Sequence, residues 1–445
     1  MRKACMGEKP EENRLRTLSA FVSALLVLGL ILAGCTPTSG PGVPLTKVAS
    51  TAAAATGQAS VVQGQDCGDP IGCILLNPGV PIHIAYLLAL TGGNSAIGTN
   101  SRTGVQLAIE DAGGKILGHT VQFDGQDDGC NAKQGLDGAT WLADDPTIVA
   151  VIGPSCSSAA VAGVPQLSKA GLLVVSPSST LPDLTDPASP NHFAGFFRTV
   201  YNAQAQGTAA ADYAYNILNI RSAATIQEGT STQLHQVQAF ADEFRTLGGT
   251  ISLQTSVTAG QLDMSTVLPS LSSASPGLIY FPIPLPEAGA LLEQAGSTAG
   301  LENTRWMAAD GLYARDVASI PGAGVDRLTI TIPLVQGQAF EAFVAKFAAR
   351  FGSQPINILN YDAYAYDAFN ILKAAIEKAA EQQANGGILL PRQGLRDTLA
   401  GMSAFSGVSG SLTCHPSGDC ADPVIGVYQY QAGKYPPSLV WSSKP

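Results

Sequence analysis

Charge is scarce in this chain of 445 residues: 13% of it is Asp, Glu, Lys or Arg, while 45% is hydrophobic. The charge present leans acidic, 24 basic against 34 acidic residues. An acidic chain is repelled by phosphate backbones, which argues against nucleic acid as a partner. Catalytic signatures are missing too. There is no G-x-S-x-G elbow, no Walker P-loop, no G-x-G-x-x-G after a first strand and no H-E-x-x-H. The five histidines, His83, His119, His192, His235 and His415, lie too far apart to suggest a local ligand pair. These absences argue against an enzyme and predict neither cofactor nor metal.

Long hydrophobic runs are equally rare. The exception is Thr17 to Gly34, uncharged and rich in leucine, behind a start that carries Arg2, Lys3, Lys9, Arg14 and Arg16. It reads as a secretion signal. The run closes on Leu32-Ala33-Gly34-Cys35-Thr36, which resembles the lipobox of bacterial lipoproteins, whose cysteine becomes the lipid-bearing first residue. That resemblance implies cleavage after Gly34, lipidation of Cys35, and residence in the cell envelope, on the outer face of the cytoplasmic membrane or in the periplasm. An uncleaved anchor helix and ordinary cleavage without lipid are the alternatives. Without residues 1–34 the chain has 411 residues, with 19 basic against 31 acidic side chains and a net charge of −12. That length suits two domains better than one core.

Cys5 falls in the leader and Cys35 at the lipid site, leaving six cysteines. In an oxidising compartment the expected pairs are Cys67 with Cys73, Cys130 with Cys156 and Cys414 with Cys420, although six cysteines permit about fifteen connectivities. Zinc is a weak rival, because no pair shows two-residue spacing and the nearest histidine is His415.

Residues 35–80 are Thr, Ser, Ala, Gly and Pro with almost no charge, as expected of a flexible linker. An ordered extension around Cys67 to Cys73 is the alternative. Beyond Pro81, short apolar runs alternate with helical stretches. Strands are predicted over 82–90, 120–123, 148–152 and 172–175, with helices over 103–112, 132–142 and 159–169 between them. A second series alternates from the helix 201–218 through the strands 223–227, 250–257, 278–281 and 305–308. The long helix Tyr361 to Ala380 places Tyr361, Tyr364, Ala368 and Ile371 on one face, as for core packing. The fold class is α/β, with mostly parallel sheets covered by helices on both faces.

Three segments are more specific: Asp127-Asp128-Gly129-Cys130-Asn131-Ala132-Lys133-Gln134, Val151-Ile152-Gly153-Pro154-Ser155-Cys156-Ser157-Ser158, and Ser176-Pro177-Ser178-Ser179-Thr180-Leu181-Pro182-Asp183-Leu184-Thr185. With Phe197-Arg198-Thr199, Tyr364-Ala365-Tyr366-Asp367-Ala368 and Gly407-Val408-Ser409-Gly410, they resemble the leucine/isoleucine/valine-binding family of type I solute-binding proteins, which serve ABC importers. The likeness runs from about Pro81 to the C-terminus. It implies two Rossmann-like lobes joined by three hinge crossings, near 200, 330 and 410 to 425. The N-terminal lobe would hold 81–200 plus 331–410, the C-terminal lobe 201–330 plus 411–445. It also implies a monomer that takes a small molecule, an amino acid or related carboxylate, to an ABC permease and its ATPase. A sensor of the same fold is the alternative.

Ligands of open α/β sheets sit at the carboxyl ends of strands, where helix N-termini offer free N–H groups. Ser157 and Thr180 occupy such ends. By the resemblance, Ser157 gives a hydroxyl and an N–H to a ligand carboxylate, Thr180 assists, and the Ser178 carbonyl takes an ammonium. N-capping is the plainer role for Ser157 and Ser158. Asp310 follows Arg305-Trp306-Met307-Ala308-Ala309 and precedes Gly311, where the family carries the acid that pairs with the ligand ammonium; a turn aspartate is the plainer reading. Around the ligand side chain this chain has Ile97, Thr232 and Pro284 where the family often has aromatics. Pro282, Pro284 and Pro286 remove three backbone donors there, favouring an apolar contact.

Overall fold

The computed structural model describes residues 59–62, 64–321, 324–352 and 360–444. The leader, Cys35 and most of the expected linker lie outside the described residues. Among the described residues, no helix is long and apolar enough to cross a membrane.

The first lobe is built on a six-stranded sheet. Its central strand Ile82–Leu88 runs parallel to His119–Asp127 on one side and Ile148–Ile152 on the other. Leu173–Ser176 and Phe196–Arg198 extend it in the same direction. All five residues of Ile148–Ile152 are buried, because helices cover both faces of the sheet. The pleat sorts side chains between two cores: Ile82, Ile84, Leu173 and Val175 face the long helix Tyr361–Ala379, whereas Ala85, Leu87, Leu172 and Val174 face the helices Ala132–Ala143 and Ser157–Lys169.

The second lobe has seven strands. Thr250–Ser256, Ser222–Gln227, Leu278–Tyr280, Arg305–Ala308 and Leu328–Pro333 are parallel, and Ile425–Gln431 and Lys434–Ser442 close the edge antiparallel. Here too alternation divides the core. Ala224, Ile279, Trp306 and Ala308 fall on one face, Ala223, Leu278, Tyr280 and Met307 on the other. The chain passes between the lobes at 199–203, 334–337 and 421–424, and the last two crossings are joined by Leu334 N–H donating to Val424 O at 2.8 Å.

Three boundaries differ from expectation. Residues 60–80 are not the end of a loose linker: Ser60–Val62 and Cys73–Leu76 form a four-stranded sheet with Ile388–Pro391 and Glu381–Gln382. Ile74 and Leu76 are fully buried in the first lobe's core, so their apolar area draws the segment onto the body. The third crossing also comes later than residue 411, because Leu412, Cys414 and Cys420 bury their side chains in the first lobe. Leu328–Pro333 stays wholly in the second sheet, which moves the second crossing past 331. Among the described residues three disulfides are present, Cys67–Cys73, Cys130–Cys156 and Cys414–Cys420.

Candidate functional site

The acidic motif after His119–Asp127 organises the loops at the carboxyl end of the first sheet. Asp127 Oδ1 accepts from Leu90 N–H and Gly129 N–H, each at 2.8 Å. Asp128, fully buried, accepts from Cys130 N–H at 2.8 Å and Ser155 N–H at 2.6 Å. Gly129 and Cys130 take left-handed φ values of 51° and 57°, which turns the chain so that Cys130 meets Cys156. These acids bind loop backbone and tie two strand ends together.

Arg198 does the same for the next loop. Its side chain is fully buried, and Nη1 donates to the carbonyls of Ser179 at 3.1 Å and Leu181 at 2.7 Å. Nη2 donates to Thr185 Oγ1, and Nε pairs with Asp419 beside the third crossing. A rigid guanidinium fork suits several acceptors at fixed spacing. It holds Thr180 in place, and the Thr180 carbonyl in turn accepts from Ala203 N–H at 3.0 Å in the first crossing.

Neither Ser157 nor Ser158 caps the helix Ser157–Lys169, whose N-cap is Cys156. Ser157 Oγ accepts from Leu181 N–H at 3.1 Å, which leaves its own proton to donate, and Ser158 Oγ donates to Cys130 O at 3.3 Å. The Ser178 hydroxyl is spent on Ser155 O at 2.7 Å.

In the second lobe Asp310 follows Arg305–Ala308 and opens a single helical turn, Asp310–Leu312. Tyr201 Oη donates to its Oδ2 at 3.0 Å and Gln206 Nε2 to its Oδ1 at 3.1 Å. Gln206 Nε2 also donates to Thr331 O at 3.1 Å, and its Oε1 accepts from Gln236 Nε2 at 2.7 Å. Burial pushes the Asp310 carboxyl above the usual range, against the pull of these two donors. Among the described residues no lysine or arginine stands with it in the site.

Asp310 lines a cavity of about 230 Å³ with residues of both lobes: Thr180 and Tyr361 from the first, Tyr201 from the crossing, and Gln206, Thr232, Gln236, Pro282 and Pro284 from the second. Of the residues chosen from sequence, Thr180, Thr232, Pro284 and Asp310 meet here. Ser157, Ser178 and Ile97 do not line it. Ile97 packs instead against the aromatic cluster of Tyr201, Tyr361 and Tyr364. Tyr361, assigned from periodicity to core packing, has a second face in the cavity. Tyr201, Gln206 and Gln236 were missed; for the two glutamines a polar residue within a buried helix face was the available signal, and Tyr201 lies in the crossing itself. Across the cleft mouth, His235 Nε2 on the helix Ser231–Thr246 meets Asp183 Oδ1 of the first lobe at 3.0 Å. A second cavity of about 210 Å³ lies against the crossings, but its one carboxylate, Asp422, is already paired with Lys444. Among the described residues no cluster of three His, Cys, Asp or Glu could hold a metal.

Known proteins share this fold. The sequence profile of the periplasmic binding protein family matches residues 81–433. The Leu/Ile/Val-binding protein BraC3 of Rhizobium johnstonii is 27% identical over 356 residues, covering 79% of this chain and 92% of its own. An amino acid binding protein of Pseudomonas aeruginosa is 29% identical over 237 residues, 52% of this chain and 61% of its own length. Among solved structures, the leucine binding protein LivK of Thermotoga maritima superposes with a TM-score of 0.67 at 24% identity, covering 82% of this chain and 99% of that one. A solute binding protein of R. palustris in complex with benzoate gives 0.62 at 18% identity, over 82% and 97% of the two chains. The match to the family profile over most of the chain, on a body of two α/β lobes crossed three times, makes this chain a member of the periplasmic binding protein family.

Proposed function

We propose that the protein is the extracytoplasmic substrate-binding component of an ABC importer, and that it encloses an amino acid between its lobes. The observation that carries this reading is Asp310, a carboxylate held by two neutral donors in an interlobe cavity whose described lining has no cation. A ligand ammonium supplies the missing charge, and Thr180, whose loop Ser157 braces through Leu181 N–H, takes the ligand carboxylate. The relatives support the class, since their names specify leucine, isoleucine and valine or amino acids in general. Contacts to both lobes stabilise the closed form, which a membrane partner reads. Export, lipidation at Cys35 and action as a monomer belong to the same proposal. A lipid anchor would hold the receptor near its permease at high effective concentration.

A thermal-shift screen of the purified protein against amino acids, amides, short-chain acids and aromatic acids tests it. An amino acid at about 100 times its Kd should stabilise the fold by about 2.7 kcal/mol. Benzoate or another acid without an ammonium as the strongest hit would overturn the assignment.

A further inference from the structure

The amides beside Asp310 can be oriented without ambiguity. The Thr331 carbonyl can only accept, so the Gln206 atom facing it at 3.1 Å is Nε2, the same atom that donates to Asp310. Gln206 Oε1 must then face Gln236 and receive its Nε2 at 2.7 Å. The Gln236 Oε1 is what remains at the end of this relay. Gln236 is 4% exposed and lines the cavity, yet no described residue donates to that oxygen. Thr232 and Thr180, also in the lining, have hydroxyls without a partner among the described residues.

A buried acceptor facing a cavity is satisfied by water when the cavity is empty, and by a ligand donor when it is full. An aliphatic ligand side chain strips the water and returns nothing. Among the described residues Leu, Ile, Val, Met and Phe are all absent from the cavity lining, whose apolar part is Pro282, Pro284, Ala309, Gly311 and two tyrosine rings. A second ligand charge finds no counterpart there either. An acidic side chain would meet Asp310 with no lysine or arginine in the lining, and a basic one would have no carboxylate left after the α-ammonium takes Asp310.

We propose that Gln236 is a specificity residue, and that the ligand is an amino acid with an uncharged, hydrogen-bond-donating side chain, an amide or a hydroxyl, rather than a branched aliphatic one. This rests on the amino-acid reading above and narrows it. It also sets the chain apart from the relatives named for leucine, isoleucine and valine.

The test is calorimetric titration of the protein with near-isosteric pairs, asparagine against leucine and threonine against valine, repeated on Gln236→Met. The donor-bearing member of at least one pair should bind on the order of 10- to 100-fold tighter. In Gln236→Met that ratio should fall to within about threefold, because the relay then ends in an apolar group. The exchange also releases Gln206 from Gln236, but any loss through Asp310 weakens both members of a pair alike, so the ratio remains the readout. Leucine or valine binding as tightly as its partner, or a ratio unchanged in the variant, overturns the inference and leaves the amino-acid reading standing. If no zwitterion of either kind binds, that reading falls and takes this one with it.

Discussion

Tyr201, in the first crossing between the lobes, donates its hydroxyl proton to Asp310 Oδ2 at 3.0 Å. The acid on which the ligand assignment turns is thus braced by a residue of the hinge. Gln206 fixes the other oxygen. With both oxygens held, the carboxylate is oriented before any ligand arrives, so binding spends little on ordering it.

Replacing the charge while keeping the shape tests the role of Asp310. Asp310→Asn should weaken a zwitterionic ligand by about 2 to 5 kcal/mol, because the ammonium is left buried without its counter-ion. Titration calorimetry measures this directly. A ligand lacking an ammonium should lose far less, and equal losses for both would remove Asp310 from the pocket.

The same carboxylate predicts how affinity depends on pH. Burial raises its pKa, so in the empty protein it begins to take up a proton above the ordinary value near 3.9. An ammonium requires the charged form, and binding must expel that proton. Affinity should therefore fall as pH drops through the raised pKa, by up to about tenfold per unit. Titrations between pH 7 and pH 4 check this. A flat profile would show that no buried carboxylate is linked to binding.

Arg198 braces the loop that carries Thr180. Arg198→Met removes a buried cation from the Ser179 and Leu181 carbonyls, Thr185 and Asp419. The loss of folding stability should be about 3 kcal/mol, read from urea unfolding. Ligand affinity should fall with it, since the 179–185 loop loses its anchor. A variant as stable as the parent would contradict this account of the loop.

The contact across the cleft mouth should matter less. His235 and Asp183 are each partly exposed, with 29% and 28% of their side-chain area accessible. Asp183→Asn should weaken ligand binding by no more than about 1 kcal/mol, through closure. A dissociation rate measured by stopped flow separates this from a pocket effect. The variant should release ligand faster at an unchanged association rate.

Much of the fold was legible because parallel strands covered on both faces leave continuous apolar runs. Ile148–Ile152 and Arg305–Ala308 were located from such runs. The sheet joining Ser60–Val62 and Cys73–Leu76 to Ile388–Pro391 was not legible. Its strands come from opposite ends of the chain, and the first lie in a stretch whose composition is that of a tether. The helix Gln338–Phe351 was missed as well. In the site, Thr180 follows from the rule that strand ends meet ligands, as Ser157 did without reaching the cavity, and Asp310 follows from the family resemblance. Gln206 and Gln236 sit on helices among buried neighbours, where periodicity reports depth but not which buried polar group faces a cavity.

The central claim is that this cleft takes an amino acid and grips it by its ammonium at Asp310. It is tested most directly by titrating the protein with the best amino acid from the screen and with the 2-hydroxy acid of identical side chain. The account predicts that the hydroxy acid binds at least about 30-fold more weakly, and that Asp310→Asn shrinks the difference to a few-fold. Equal affinity of the two in the parent protein would contradict it.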